Sequence, residues 1–151
     1  MKTWITITVI AVTALAFCGA AAAAVPDPLV MQNKTVGGGA FNVYTPGVTD
    51  GVGLHNIGLL IQTSGKVVAG ATNTTDKYFY INDGSALDDT SGFVGLRVSY
   101  ANLATGKSIT PPADNTYVVI TGISSTTKLE PSERIIPTLR PREQTDIAPY
   151  P

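Results

Sequence analysis

Residues 59–69 read LLIQTSGKVVA, and this stretch decides the fold class. It is rich in β-branched and aliphatic residues, which sit well on a pleated surface. A strand is therefore predicted. Gly65 at its centre predicts a bulge or a sharp bend. Downstream, residues 77–82 read KYFYIN, aromatic and β-prone, and Asp83-Gly84-Ser85 stops the run with turn chemistry. Residues 94–100, VGLRVSY, alternate apolar and polar as a strand does. Residues 117–124, YVVITGIS, form another strand with a glycine, Gly122, inside it. Residues 134–139, RIIPTL, carry Pro137, which predicts an edge or a strand end. Helical periodicity is not sustained in any window after the first two dozen residues. Residues 101–107 fit one helical turn, which Pro111-Pro112 ends.

Five short, bent strands predict an all-β fold, a small five-stranded closed barrel. Closure removes exposed strand edges. An immunoglobulin-type sandwich would need about seven strands, two of them drawn from the segment upstream.

That upstream segment is of two kinds. Residues 1–24 hold one charge, Lys2, then an apolar run over residues 4–17 and a tract of small residues ending at Ala22-Ala23-Ala24. This is the pattern of a signal peptide, with cleavage predicted near Ala24. A retained anchor is the alternative, since the run is just long enough to span. A lipoprotein signal at Leu15-Ala16-Phe17-Cys18 is disfavoured by the bulky Phe17. Cleavage removes Lys2 and Cys18, leaving nine basic against eleven acidic residues and no cysteine, so the exported chain must stand on its core alone. Residues 25–56 are a Gly/Pro-rich irregular arm with Pro26, Pro28, Gly37-Gly38-Gly39, Pro46 and Gly47. Its apolar Leu29, Val30, Phe41, Val43 and Tyr44 favour an arm packed on the domain over a free linker. The division is then signal peptide 1–24, arm 25–56, barrel 57–147 and tail 148–151.

Composition narrows the function classes. With 14% charged and 44% hydrophobic residues, the chain is no disordered polyelectrolyte. A net charge of -1 disfavours a partner such as the DNA backbone. One Cys and one His leave out most zinc frameworks. The expected location is secreted, periplasmic or at the cell surface, with no membrane association after cleavage.

Four patches in order, Gly65-Lys66-Val67-Val68, Tyr78 to Ser85 ending in Asp83-Gly84-Ser85, Gly95-Leu96-Arg97-Val98 and Tyr117 to Ser124 with Thr121-Gly122, resemble the OB-fold pattern. Arg140-Pro141-Arg142 looks like the ending of exported bacterial OB-like domains of unassigned role. The resemblance covers residues 57–147. It implies a barrel that binds oligosaccharides or oligonucleotides, with the outer face of the second and third strands as platform. Fold alone does not give function.

Alternation sorts the faces. Phe79, Ile81, Leu96, Val98 and Tyr100 are predicted inward. Tyr78, Tyr80, Arg97 and Ser99 are predicted outward, where two tyrosines beside an arginine would stack on rings and grip an anion or hydroxyl. The alternative is that the arm covers this face. Arg140 and Arg142 are candidate anion clamps, or surface arginines in an extended tail. Asn82, Asp83, Ser85, Asp88 and Asp89 offer oxygen to calcium, but turn formation alone explains them, and no metal or cofactor is predicted. His55 reads as a loop histidine. Nothing like G-x-S-x-G is present, and the carboxylates form no pair. Asn33-Lys34-Thr35 and Asn73-Thr74-Thr75 fit the glycosylation sequon. The reading is an exported, non-enzymatic binding module for a glycan or other polymer. The alternative is a structural subunit of a surface assembly that self-associates through its arm.

Overall fold

The computed structural model describes residues 26–150, so the signal-peptide reading of residues 1–24 falls outside the described residues. None of the described helices is long and apolar enough to cross a membrane. The described chain is all-β, with seven strands: β1 (Leu29–Val30), β2 (Leu60–Val67), β3 (Tyr78–Asn82), β4 (Leu96–Ser99), β5 (Tyr117–Leu129), β6 (Arg134–Arg140) and β7 (Ile147–Pro149). They join in one sheet in the order β1-β2-β3-β4-β6-β5-β7. β2 also pairs with β5, so β2, β3, β4, β6 and β5 form a ring of pairings. All neighbours are antiparallel except β1–β2 and β4–β6.

The five strands predicted from sequence are the five of the ring. β1 and β7 were not predicted. They are two and three residues long and carry Pro149, too short for any periodic signal. The helical turn expected at residues 101–107 reduces to a single reverse turn, Lys107 N–H to Ala104 C=O at 3.0 Å. Pro137 lies within β6 where only β5 runs alongside, since β4 joins at Thr138. Its missing N–H therefore falls on the side of β6 that no strand pairs at this point, where the arm packs through Val48 and Thr49.

The two strand glycines do not mark bulges. The β2–β5 register runs unbroken from Leu60↔Ile123 to Lys66↔Tyr117 through both of them. Each glycine lies where its strand changes partner. β2 pairs with β1 at Ile61 and Gln62 and with β3 from Lys66, with Gly65 between. β5 leaves β7 after Ile120 and takes up β6 at Ile123, with Gly122 between. At these crossings the neighbouring backbone comes close. A Cβ on Gly65 would lie 3.0 Å from Asn82 backbone atoms, and one on Gly122 would lie 2.7 Å from those of Arg140.

Alternation builds the core as predicted. Phe79, Ile81, Leu96 and Val98 are fully buried, with Ile61, Val67, Ile120 and Leu139 beside them, and Tyr100 joins the same cluster. Each such side chain contributes about 1.5–3 kcal/mol by leaving water.

The arm is packed on the domain, but through other residues than expected. Leu29, Val30, Phe41, Val43 and Tyr44 are all exposed, Tyr44 at 92%. Val36 enters the core cluster instead. Asn33, over a 3-10 turn (Asn33–Thr35), is wholly buried. Its Nδ2 donates to Ile81 C=O at 3.0 Å, and its Oδ1 accepts from the Thr63 hydroxyl at 2.8 Å. Its backbone N–H donates to Asp83 Oδ2 at 2.8 Å. Farther on, Asn56 Oδ1 accepts from Gly37 N–H at 2.8 Å and from the Ser124 hydroxyl at 2.7 Å. Polar anchors do this work because each satisfies a buried backbone group that the arm would otherwise strand. Burial also means that the first sequon's Asn33 has no solvent-facing amide in the folded chain.

Candidate functional site

The pairing of β3, β4 and β6 determines which outward residues meet. Tyr78 lies opposite Ser99, Tyr80 opposite Arg97, and Arg97 opposite Thr138 on β6. The Arg97 guanidinium lies over the Tyr78 ring, with Cζ 3.7 Å from its centroid. Ser99 and Arg140 line a common cleft of about 360 Å³, which Leu103, Ile123, Pro141 and Arg142 also border. Tyr78, Arg97, Ser99 and Arg140 are thus brought together on one outer face, although 62 residues of chain separate the first from the last.

Among the described residues, the ion pairs engage Lys107, Lys128, Arg134 and Arg142, and the two arginines on this face, Arg97 and Arg140, form none. The Nε of each is buried and has no hydrogen-bond partner. A guanidinium carries five donors in a fixed fork and no acceptor. Two such groups on adjoining strands are therefore suited to planar anions and to clustered hydroxyls.

Two predicted site residues stand apart. Tyr80 points outward from the core as expected but is only 1% exposed. The loop between β3 and β4 folds over it, and Phe93 stacks on its ring at a centroid distance of 5.3 Å. The expectation of an open Tyr80 is corrected: its cover is this loop, not the arm. Burial pushes its phenol above the ordinary tyrosine value. Arg142 is held by Asp146. Its Nε lies 3.0 Å from Asp146 Oδ2 and its Nη2 2.7 Å from Oδ1, while its backbone N–H also bonds Oδ2 at 2.7 Å. Burial acts to raise the Asp146 carboxyl, but these bonds outweigh it and hold it below the usual carboxylate range. Ser99, though outward, is largely covered.

The acidic turn residues serve the β3–β4 loop. Asn82, Asp83, Asp88 and Asp89 each accept, through Oδ1, the backbone N–H two residues on, at 2.8–2.9 Å. Among the described residues no group of three His, Cys, Asp or Glu side chains is arranged to hold a metal. His55 is half-buried with the Phe41 ring edge-on at 6.5 Å.

A second feature was missed from sequence. A cleft of about 570 Å³ lies between the β2–β3 pair and the β5–β7 pair, lined by Ser64, Lys66, Asn82, Asp83, Tyr117 and Tyr150. Lys66 lies opposite Asn82 on one side and Tyr117 on the other. Tyr150 reaches it only because β7 pairs with β5, and β7 has no sequence signal.

Comparison with known proteins found no matching family model, no similar curated protein and no similar solved structure.

Proposed function

We propose that the chain is an exported, non-enzymatic binding module. Its ligand, a glycan or other polymer, is held on the outer face by Tyr78, Arg97, Ser99 and Arg140. The observation that carries this reading is the pair of guanidiniums without a carboxylate partner, one of them stacked on Tyr78. Two half-buried guanidiniums without a carboxylate partner on adjoining strands would be offset by a ligand bearing carboxylate or sulfate groups. The fold is read as an OB-like barrel. The supporting feature is the five-membered ring of pairings, in which β3 and β4 occupy the second and third positions, the usual ligand platform of that architecture. Nucleic acid is disfavoured by the net charge of -1 and by Asp88 and Asp89 in the neighbouring loop.

The test is a screen of the protein against a glycan array and short single-stranded DNA and RNA at two salt concentrations. Saturable binding of an acidic glycan that is lost in Arg97→Ala and kept in Arg142→Ala supports the reading. Equal binding by both variants contradicts it.

One observation favours the assembly reading as a second. The arm displays Phe41, Val43, Tyr44 and Leu54, each at least three-quarters exposed. It does so on a base of interlocked glycines: a Cβ on Gly38 would lie 2.0 Å from Leu54 O, and one on Gly51 2.3 Å from Gly38 O. An exposed apolar tip on closely packed glycines is suited to a second copy of the chain. Sedimentation velocity of the wild type against Phe41→Ser/Tyr44→Ser tests it: a monomer in both cases rules it out.

A further inference from the structure

The Lys66 cleft has the chemistry of a ligand site, and it stands on residues other than those of the Arg97 face. Its volume, about 570 Å³, falls in the range of small-molecule sites. Tyr117 and Tyr150 remain 60% and 57% exposed at its rim. They are tied together by the bond from Tyr150 N–H to Tyr117 C=O at 2.9 Å. Two exposed phenol rings fixed by a β-ladder offer broad apolar contact at low entropic cost, since each has only two side-chain torsions to lose.

The polar groups are of both kinds. Lys66 forms no ion pair among the described residues. Asn82 Oδ1 is taken by Gly84 N–H at 2.8 Å, which leaves the amide's two N–H donors for a ligand. Asp83 accepts one backbone N–H on each oxygen, from Asn33 and from Ser85, and the Ser85 hydroxyl also bears on it. Burial acts to raise its carboxyl, but these hydrogen bonds prevail and hold it below the usual carboxylate range, so it is charged at neutral pH. One cation and one anion balance. A phosphate or sulfate would gain from Lys66 and lose to Asp83. A neutral ring with several hydroxyls can use both, because a hydroxyl donates and accepts, while its C–H face lies on the tyrosines.

We propose that this cleft is a saccharide subsite. Tyr117 and Tyr150 stack on a neutral sugar ring, Lys66 and Asn82 donate to its hydroxyls, and Asp83 accepts from them. The proposal goes beyond the Arg97 face, and each survives the failure of the other.

The experiment is calorimetric titration of the full chain with maltohexaose, cellohexaose, xylohexaose and chitohexaose, at low and high salt. At least one is expected to bind saturably and without salt dependence, since no counterions are released. Tyr117→Ala and Tyr150→Ala are each expected to weaken that affinity about tenfold or more, as loss of a stacking anchor does. Lys128→Ala, near the far end of β5, leaves it unchanged. Lys66→Met separates the polar contribution, and thermal unfolding of every variant confirms that the fold is kept. Binding of none of the four sugars overturns the proposal, as does binding that persists in Tyr117→Ala/Tyr150→Ala. Loss in Arg97→Ala instead would assign the sugar to the other face and overturn it equally.

Discussion

The Arg97 guanidinium rests on the ring of Tyr78, its Cζ 3.7 Å from the ring centroid. The two residues lie on adjoining strands as a diagonal pair, two residues out of direct register, because Tyr78 faces Ser99 and Arg97 faces Tyr80. Stacking fixes the plane of the guanidinium and leaves its edge for a ligand. At a half-exposed position such a contact contributes about 0.5–1 kcal/mol. Tyr78→Ala should therefore lower stability by about that amount. It should weaken ligand binding more than Tyr78→Phe, which keeps the ring face. Thermal unfolding and the binding titration together check this. Equal binding by Tyr78→Ala and wild type would show that the stack has no part in recognition.

Tyr80 is a stability residue. Its ring is enclosed by Phe93 and by Tyr78, which meets it edge-on at 5.9 Å. Tyr80→Ala should destabilise by about 3–5 kcal/mol, the range for removing a buried aromatic. Ile81→Ala, on the inner face, should cost about 2–5 kcal/mol. Denaturant unfolding of both variants checks the faces. A Tyr80→Ala protein as stable as wild type would mean that the β3–β4 loop does not cover it.

Asn33 pins the arm. Asn33→Ala takes the acceptor from the buried Thr63 hydroxyl and removes the side-chain bond to the Ile81 carbonyl, which keeps its ladder position against Leu96. An unsatisfied buried hydroxyl costs about 1–3 kcal/mol. Asn33→Ala should accordingly lower the unfolding midpoint, and limited proteolysis should cut first within the arm. A variant with unchanged stability would contradict the packed arm.

Acid should weaken the fold through Asp83 and Asp146. In the folded chain both carboxyls titrate below the ordinary value. In the unfolded chain they return to about 3.9. As pH falls, the unfolded chain takes up these protons first. Stability from the two groups is therefore complete above that value and is lost as pH drops through their folded values. Thermal midpoints measured from pH 7 to 2 should fall most steeply in that lowest interval. Asp146→Asn should flatten the slope. An unchanged slope would mean that the Arg142 contact does not survive in solution.

The ring strands were legible because each is a run of β-branched and aromatic residues bounded by turn residues, as Tyr78–Asn82 is by Asp83-Gly84-Ser85. The inward set followed from alternation alone. The roof over Tyr80 was not legible: Phe93 is a lone aromatic among Ser91, Gly92 and Val94, and only the folded loop brings it over β3. The same holds for the arm. Hydrophobicity pointed to Phe41, Val43 and Tyr44, whereas hydrogen-bond satisfaction selected Asn33 and Asn56, whose partners lie up to 68 residues away. Gly65 and Gly122 were recognised as unusual, but their cause is close approach at a change of strand partner, a relation between strands that a single strand's sequence does not contain. Tyr78 and Arg97 were placed on the outer face by alternation, and the fold stacks them there. The engagement of Arg142 depends on Asp146, whose position is set by a 3-10 turn (Gln144–Asp146).

The most direct test of the binding reading is a titration with an acidic polysaccharide, comparing Arg97→Ala/Arg140→Ala with Arg142→Ala, at two salt concentrations. The account predicts saturable, salt-sensitive binding by the wild type and by Arg142→Ala, and its loss in the double variant, with the double variant still folded; Arg142→Ala should lower the unfolding midpoint because it leaves the buried Asp146 unpaired. Binding that survives in the double variant, or that disappears with Arg142→Ala alone, would contradict it.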